Sequence, residues 1–310
     1  MGHQASSGAT SSKVRVVYIM GDGRSGTTIL DIILGNHPLI HSCGELWKWP
    51  YHNGHPRPDN TKQGDHEFWQ QVRACYFGEE GPEDLAYLCR LQNSFEDYKR
   101  FPLVAIQLIP RERVIQYHQH IRKLLKAIAS SSGANVLVDS SKLMGRALQL
   151  SRDREVDLYV VHLVRDPRGS LYSHTKRDVD HKTKDVFSAL AHYWVKGVFS
   201  SAVRVLIPRH RYQRLRYEDL ANSPTDTLRA LGEFVGVPME TVIKMVEDGD
   251  AFRVGTLIDG NRLRKQEAVQ LRFDAEWKRS LGRAAKCFAL IATFPFSMIY
   301  GYHRREHQNS

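Results

Sequence analysis

The 310-residue chain is poor in cysteine, with only Cys43, Cys75, Cys89 and Cys287 and no CxxC pair among them. That scatter excludes a disulfide-stapled scaffold and a zinc ribbon or finger. The expectation is reduced, buried thiols, although the count still permits one bridge. Long hydrophobic runs are missing as well. The longest covers residues 287–301 and is interrupted by Pro295, whereas a spanning helix needs about 20 apolar residues. A buried C-terminal helix is expected there instead. Residues 1–12 are rich in Gly, Ser, Ala and Thr and contain no apolar segment, so they do not read as a signal peptide. Residues 1–13 are expected to be a disordered leader. No internal repeat and no acidic cluster at metal-ligand spacing stands out. His52 and His55 sit in a Pro/Gly loop without a third ligand and read as solvated. These absences predict a soluble, cytoplasmic protein with no stable membrane insertion, unless an anchor precedes this chain.

The composition that is present, 42% hydrophobic and 25% charged, is that of a globular protein. Charge is its one departure from the ordinary. Lys and Arg number 44 against 34 Asp and Glu, a net +10 that suits nucleic acid, a membrane surface or small anionic ligands. The length allows two domains or one large α/β domain. Apolar, β-branched runs at residues 14–20, 135–139, 158–164 and 211–217 read as strands. Helical patterns lie between them at residues 27–35, 67–77, 83–91 and 111–130, with another from about Ser223. Strands alternating with helices predict a single α/β domain over residues 14–310, its central parallel sheet flanked by helices. Ligands of such sheets sit beyond the carboxyl ends of the strands. The chemistry is therefore expected just after residues 20, 138, 164 and 216.

The first of these places holds Gly21-Asp-Gly-Arg-Ser-Gly-Thr-Thr28. Three glycines allow a tight turn whose N–H groups, with the following helix N-terminus, point at an anion. Gly21 and Gly26 match the spacing of a nucleotide-triphosphate loop, but Thr27 stands where that loop has its lysine. The cation has moved to Arg24, which weakens the reading as a P-loop kinase or NTPase. The third strand runs into Arg165-Asp-Pro-Arg168. Arg165 offers a planar fork for a phosphate, Asp166 caps the next helix and Pro167 occupies its first position. Tyr217 follows the fourth strand and presents a flat face to a base. Lys142 closes the second strand region in Asp139-Ser-Ser-Lys142.

Taken together these motifs resemble sulfotransferases that use 3′-phosphoadenosine 5′-phosphosulfate (PAPS). Gly23-Arg24-Ser25-Gly26-Thr27-Thr28 is similar to their 5′-phosphosulfate loop. Arg165, with Ser173 eight residues on, resembles their 3′-phosphate site, and Tyr217-Glu-Asp-Leu220 their adenine-side segment. His37-Pro38, Cys43-Gly44-Glu45 and Lys142 are similar to the protein-tyrosine and carbohydrate branches. Gly260, Asn261 and Arg262, followed by Arg264 and Lys265, resemble the basic closing loop of bacterial-type members. The likeness runs from residue 14 to 302, ending in Asp274-Ala-Glu-Trp277 and Tyr300-Gly-Tyr302.

The resemblance implies the P-loop-like sulfotransferase fold and in-line transfer of a sulfuryl group from PAPS to a hydroxyl or amine, releasing PAP (3′-phosphoadenosine 5′-phosphate). The resemblance does not choose the acceptor. The lack of a signal peptide or anchor favours a small molecule, with a protein tyrosine or a glycan as alternatives. The lack of aromatic-interleaved lysine stripes and of a metal-spaced acidic cluster predicts neither a nucleic-acid partner nor a required metal. Arg24 and Lys142 would neutralise the transferring group. Glu45 is the preferred base, with His41 and His37 as rivals. A carboxylate is a weak base toward an alcohol, so it must act late in the transition state. The loop at residues 43–64 and the segment 68–111, an insertion at about 43–111, are expected to build the acceptor pocket. Trp47 and Trp49 flank Glu45 there.

Overall fold

The computed structural model describes residues 13–60, 62–78, 84–175, 185–271 and 274–302. The leader predicted at 1–13 falls outside them except for Lys13. The first apolar run forms strand β1 (Val14–Gly21), and α1 (Thr27–Gly35) leaves its far end, followed by the short β2 (Ile40–Ser42). Four helices come next: α2 (Gln63–Phe77), α3 (Leu85–Glu96), α4 (Phe101–Ala105) and α5 (Arg111–Ser132). The helix predicted from residue 83 begins at Leu85, and residue 83 itself is outside the described residues. Then come β3 (Val136–Asp139), α6 (Met144–Arg152), β4 (Val156–Val164), α7 (Pro167–Thr175) and α8 (Val186–Leu206). The chain continues through β5 (Tyr212–Arg216), α9 (Tyr217–Asn222), α10 (Pro224–Val235) and α11 (Glu240–Asp248). A two-residue pair, β6 (Phe252–Arg253) and β7 (Ala268–Val269), precedes α12 (Trp277–Ser280), α13 (Arg283–Ala292) and α14 (Phe296–Ile299).

The five long-range strands form one parallel sheet in the order β2-β3-β1-β4-β5, as the alternation of strands and helices predicts. Period-two alternation divides the core between the two faces of this sheet. Val16, Tyr18 and Met20 of β1, with Leu137, Leu158 and Val160, pack against helices that include α2, α3, α5 and α6. Val17 and Ile19, with Val136, Val138, Val161 and Leu163, pack against α1, α10 and α11. Both layers share the buried central strand, so the sheet holds the carboxyl ends of β1, β3, β4 and β5 in one row. The site is built on that row.

Three elements differ from the sequence expectation. β2 is three residues long with a polar His41 in the middle, too short to show a period. In α8 both faces are apolar, which erases the 3.6-residue contrast that marks a helix. The C-terminal run is not one buried helix. Pro295 lacks an N–H and blocks continuation, so the run divides into α13 and α14. Of its apolar side chains Ala289, Phe296 and Tyr300 turn inward, whereas Phe288, Ile291, Phe294, Met298 and Ile299 are exposed. The thiols also depart from expectation. All four cysteines are free, but only Cys43 is buried, and Cys75 and Cys287 are exposed.

Candidate active site

At the end of β1 the chain makes its tight turn and enters α1 through Gly26, the N-cap residue, at φ 85°. That left-handed conformation suits glycine, and space forbids anything larger: a Cβ on Gly26 would lie 2.5 Å from the Tyr217 ring. Arg24, inside the same turn, is also held at φ 69°. Thr27 and Thr28 are buried at the start of α1. Around this turn lie two adjoining clefts. The first, about 450 Å³, is lined by Gly23, Arg24, Thr27, Thr28, Glu45 and Lys142, among others. The second, about 800 Å³, is lined by residues that include Arg165, Tyr217 and Arg262. Arg24, Gly26, Ser173 and Asn261 border both. Gly260 closes on the first from the far side, and a Cβ there would meet Thr28 Cγ2 at 3.7 Å.

Glu45 and Lys142 meet in the first cleft, where Lys142 Nζ donates to Glu45 Oε1 at 2.5 Å. Trp47 Nε1 donates to the other carboxylate oxygen at 3.4 Å. The pair rests on a buried polar network. Asp139, at the end of β3, accepts from the Ser141 backbone N–H at 3.0 Å and from its hydroxyl, while the Trp47 N–H donates to Ser141 Oγ at 3.0 Å. Arg146, fully buried, ties Asp139 to Glu96 with bonds of 2.7 and 2.8 Å. Glu45 is anchored through its own backbone, whose N–H donates to Asp259 O at 3.1 Å. Lys142 stands at φ 66°, a strained conformation for a lysine that the surrounding bonds hold in place.

At the end of β4, Asp166 accepts from the Arg168 N–H at 2.9 Å and Pro167 opens α7, as the capping pattern predicts. Arg165 does not stand open to solvent. Its guanidinium donates to Arg24 O and Asp274 O at 2.8 Å each and lies 4.6 Å over the Tyr217 ring. Its Nε is buried without a partner among the described residues. Tyr217 accepts the Asp274 N–H at 2.8 Å. Arginine and tyrosine thus form a stacked wall of the second cleft.

Every candidate site residue read from the sequence borders one of the two clefts, apart from Ser25. Ser25 is buried on the other side of the turn, beside His162 and Lys196. The rival bases stand elsewhere. His41 packs on Phe68 with its Nε2 3.3 Å from Thr256 Oγ1, and burial drops its pKa to about 4. His37 is buried and accepts the Leu39 N–H. Trp49 is fully buried against Tyr76, leaving Trp47 as the tryptophan beside Glu45. His52 is not solvated; it pairs with Asp259 at 3.0 Å. Arg264 of the closing loop is buried and bonded to Asp59, so it secures the loop from inside.

The sequence reading missed Asp22, His174 and His192. The two histidines line the first cleft and their Nε2 atoms lie 3.1 and 3.0 Å from Asp22 Oδ2 and Oδ1. Burial pushes the Asp22 pKa up, but hydrogen bonds from His174 and His192 outweigh it and hold the carboxyl well below its usual range. These are the one group with metal-ligating chemistry among the described residues, their ligand atoms within 4.8 Å of one another. One imidazole on each carboxylate oxygen is equally the geometry of two hydrogen-bonded pairs. His174 directly follows Ser173, a local signal; His192, on α8, has none.

A family model described as the sulfotransferase family matches residues 17–241. No curated protein matches. Among solved structures, the sulfotransferase domain from the curacin biosynthetic pathway is 15% identical with a TM-score of 0.52, covering 90% of this chain and 97% of that one. The sulfotransferase domain of the Synechococcus olefin synthase is 18% identical with a TM-score of 0.48, over 92% and 95%. A sulfotransferase from Mycobacterium tuberculosis is 17% identical with a TM-score of 0.49, over 76% and 72%. At such identities the first of these bears on fold alone.

Proposed function

This chain belongs to the sulfotransferase family, and from that premise we propose that it transfers a sulfuryl group from PAPS to a hydroxyl or amine of a small-molecule acceptor. One observation carries the reading: Arg24 and Gly26 border both clefts, so one anion-binding turn serves two compartments. A donor with a phosphosulfate at one end and a 3′-phosphate on an adenosine at the other needs that plan. The phosphosulfate takes the first cleft, against the N–H groups of Gly23 to Thr28. The adenosine takes the second, its base near Tyr217 and its 3′-phosphate near Ser173, Arg165 and the loop of Gly260, Asn261 and Arg262. The guanidinium of Arg165, which borders this cleft, suits an anion there.

The reaction is an in-line displacement. The acceptor oxygen or nitrogen attacks sulfur, the bond from sulfur to the bridging phosphate oxygen breaks, and PAP leaves with that electron pair. Arg24, the turn N–H groups and Thr27 neutralise the non-bridging oxygens, and Lys142 the charge growing on the bridging one. Glu45 takes the acceptor's proton. In the free protein Lys142 and Glu45 hold each other; a donor that draws Lys142 to its bridging oxygen releases Glu45 to act as base. The segment at about 43–111 supplies acceptor-side groups in Glu45, Lys48 and Arg57. Free thiols at Cys43, Cys75, Cys89 and Cys287 support a cytoplasmic setting. No helix among the described residues is long and apolar enough to cross a membrane.

The competing chemistry is phosphoryl transfer from ATP, and a thermal-shift experiment separates the two. PAP at about 100 times its dissociation constant is expected to add about 2.7 kcal/mol of stability, a rise of several degrees. Stabilisation by ATP with Mg²⁺ and none by PAP would overturn the assignment. A mass-spectrometric search for products heavier by one SO₃ then identifies the acceptor.

A further inference from the structure

The net charge of +10 is not spread over the chain. Residues 186–217 and 277–302 contain ten Lys and Arg and no Asp or Glu, leaving 34 of each sign in the rest. The whole excess therefore lies in two stretches far apart in sequence, and the fold joins them. Trp194 of α8 donates to Ala292 O at the end of α13 at 2.8 Å and packs on Phe296 of α14 at 5.0 Å between ring centroids. Arg214 of β5 donates to Ile299 O at 2.8 Å.

The surface they share is apolar. Along α8 the exposed positions Phe187, Trp194, Val198 and Val205 fall on one side of the helix. Beside them Phe288, Ile291, Phe294, Met298 and Ile299 are exposed on α13 and α14, with Val205 at 83% and Ile291 at 70%. Exposed apolar residues clustered in this way mark an interaction surface. Arg209, Lys278, Arg279 and Arg283 stand exposed in the same stretches, and Arg204 and Lys286 half-buried. Arg211 is committed to Asp157 at 2.6 Å, and Lys196 is buried over Tyr98. The acids flanking the two stretches are Asp185, which caps α8, Glu276, which accepts from Tyr172, Glu218, which accepts from Tyr302, and Asp219.

We infer that this face rests on an anionic lipid bilayer, its apolar side chains in the headgroup boundary and its basic rim on the lipid phosphates and carboxylates. Exposed apolar residues with Lys and Arg beside them, and acids only at the margin, are the composition of an interfacial surface. Charge selects this occupant over a second copy of the chain, because two copies of a net basic face repel each other. Docking of this kind requires no spanning helix.

Vesicle flotation with the full chain tests the assignment. The protein is expected to float with phosphatidylcholine vesicles containing phosphatidylserine and to bind pure phosphatidylcholine at least about tenfold less, with binding falling as NaCl rises. Ile291→Asp with Val205→Asp, both exposed, should abolish flotation without lowering the melting temperature or the shift caused by PAP. The double charge reversal Arg283→Glu with Lys286→Glu tests the basic rim independently and should weaken binding to serine-containing vesicles at least about tenfold. A wild-type chain that stays unbound with those vesicles overturns the assignment. So does a dimer in solution that Ile291→Asp converts to monomer, because the face would then be covered by a second copy. A PAP shift without flotation rejects the membrane alone, and flotation without a PAP shift rejects the donor assignment alone.

Discussion

Lys142 and Arg24 adopt positive φ, at 66° and 69°, shared among non-glycine described residues only with Asn53 and Gln107. Two of the four such residues are the cations proposed to hold the transferring group, and strain of this kind collects where geometry serves chemistry. Lys142→Gly should therefore be more stable than Lys142→Ala by about 1 kcal/mol, against the usual order of the two residues. Urea unfolding gives the difference, and both variants should lose turnover. Equal stabilities, or a more stable alanine variant, would show that the backbone there is unstrained. Glu45 makes a different claim. Its side chain meets Lys142 and Trp47 in the first cleft, not the donor's adenosine. Glu45→Gln is expected to lower kcat at least about tenfold while PAP affinity stays within about twofold; unchanged turnover would remove it as the base. Glu45 was legible in sequence as part of Cys-Gly-Glu, but its ion pair with Lys142, 97 positions away, was not.

At the scale of elements, the junction of α1 with β2 and β3 holds a buried carboxyl. Asp31 receives the Ser42 hydroxyl at 2.5 Å on one oxygen and the Ser140 hydroxyl at 2.6 Å on the other. Burial lifts its pKa to about 7 even though both hydroxyls favour the ionised form. The native state thus keeps a proton that the unfolded chain gives up near pH 4. The contribution to stability is full below about pH 4 and is lost as pH rises toward 7. Asp31→Asn carries no titrating proton, so its stability relative to wild type should improve by on the order of a few kcal/mol between pH 5 and pH 8. Urea midpoints at the two pH values measure it, and a difference that does not change with pH would count against the shifted carboxyl. Buried His120 and His162 act oppositely: burial lowers each to about 3, so their contribution is present above about 6.5 and fades as pH falls toward 3. The capped start of α7 was readable from Asp166-Pro167 because a cap is a local bond. α8 was not, because an element apolar on two faces has no periodicity to read.

For the whole molecule, the composition alone left the +10 open among nucleic acid, membrane and small anions. The fold separates its parts. Arg24, Lys142, Arg165 and Arg262 gather at the carboxyl ends of the strands, yet 34 Lys and Arg are balanced by 34 acids outside two acid-free stretches. The net excess lies in the stretches that build α8, β5 and the C-terminal helices, and Arg209, Lys278, Arg279 and Arg283 of it stand exposed. The sequence by itself determined the parallel α/β class, the glycine-rich turn after β1 and a set of chosen site residues of which all but Ser25 border the two clefts. Those features follow from short-range causes: strand period, glycine conformation, helix caps and motif spacing. Tertiary structure alone decided that Ser25 faces away, that His37 and His41 lie outside the cleft, and that Asp22 gathers His174 and His192. It also decided that the C-terminal apolar run turns outward. Each of these depends on which surfaces the sheet order brings together, and a pairing between residues more than a hundred positions apart leaves no period in the chain.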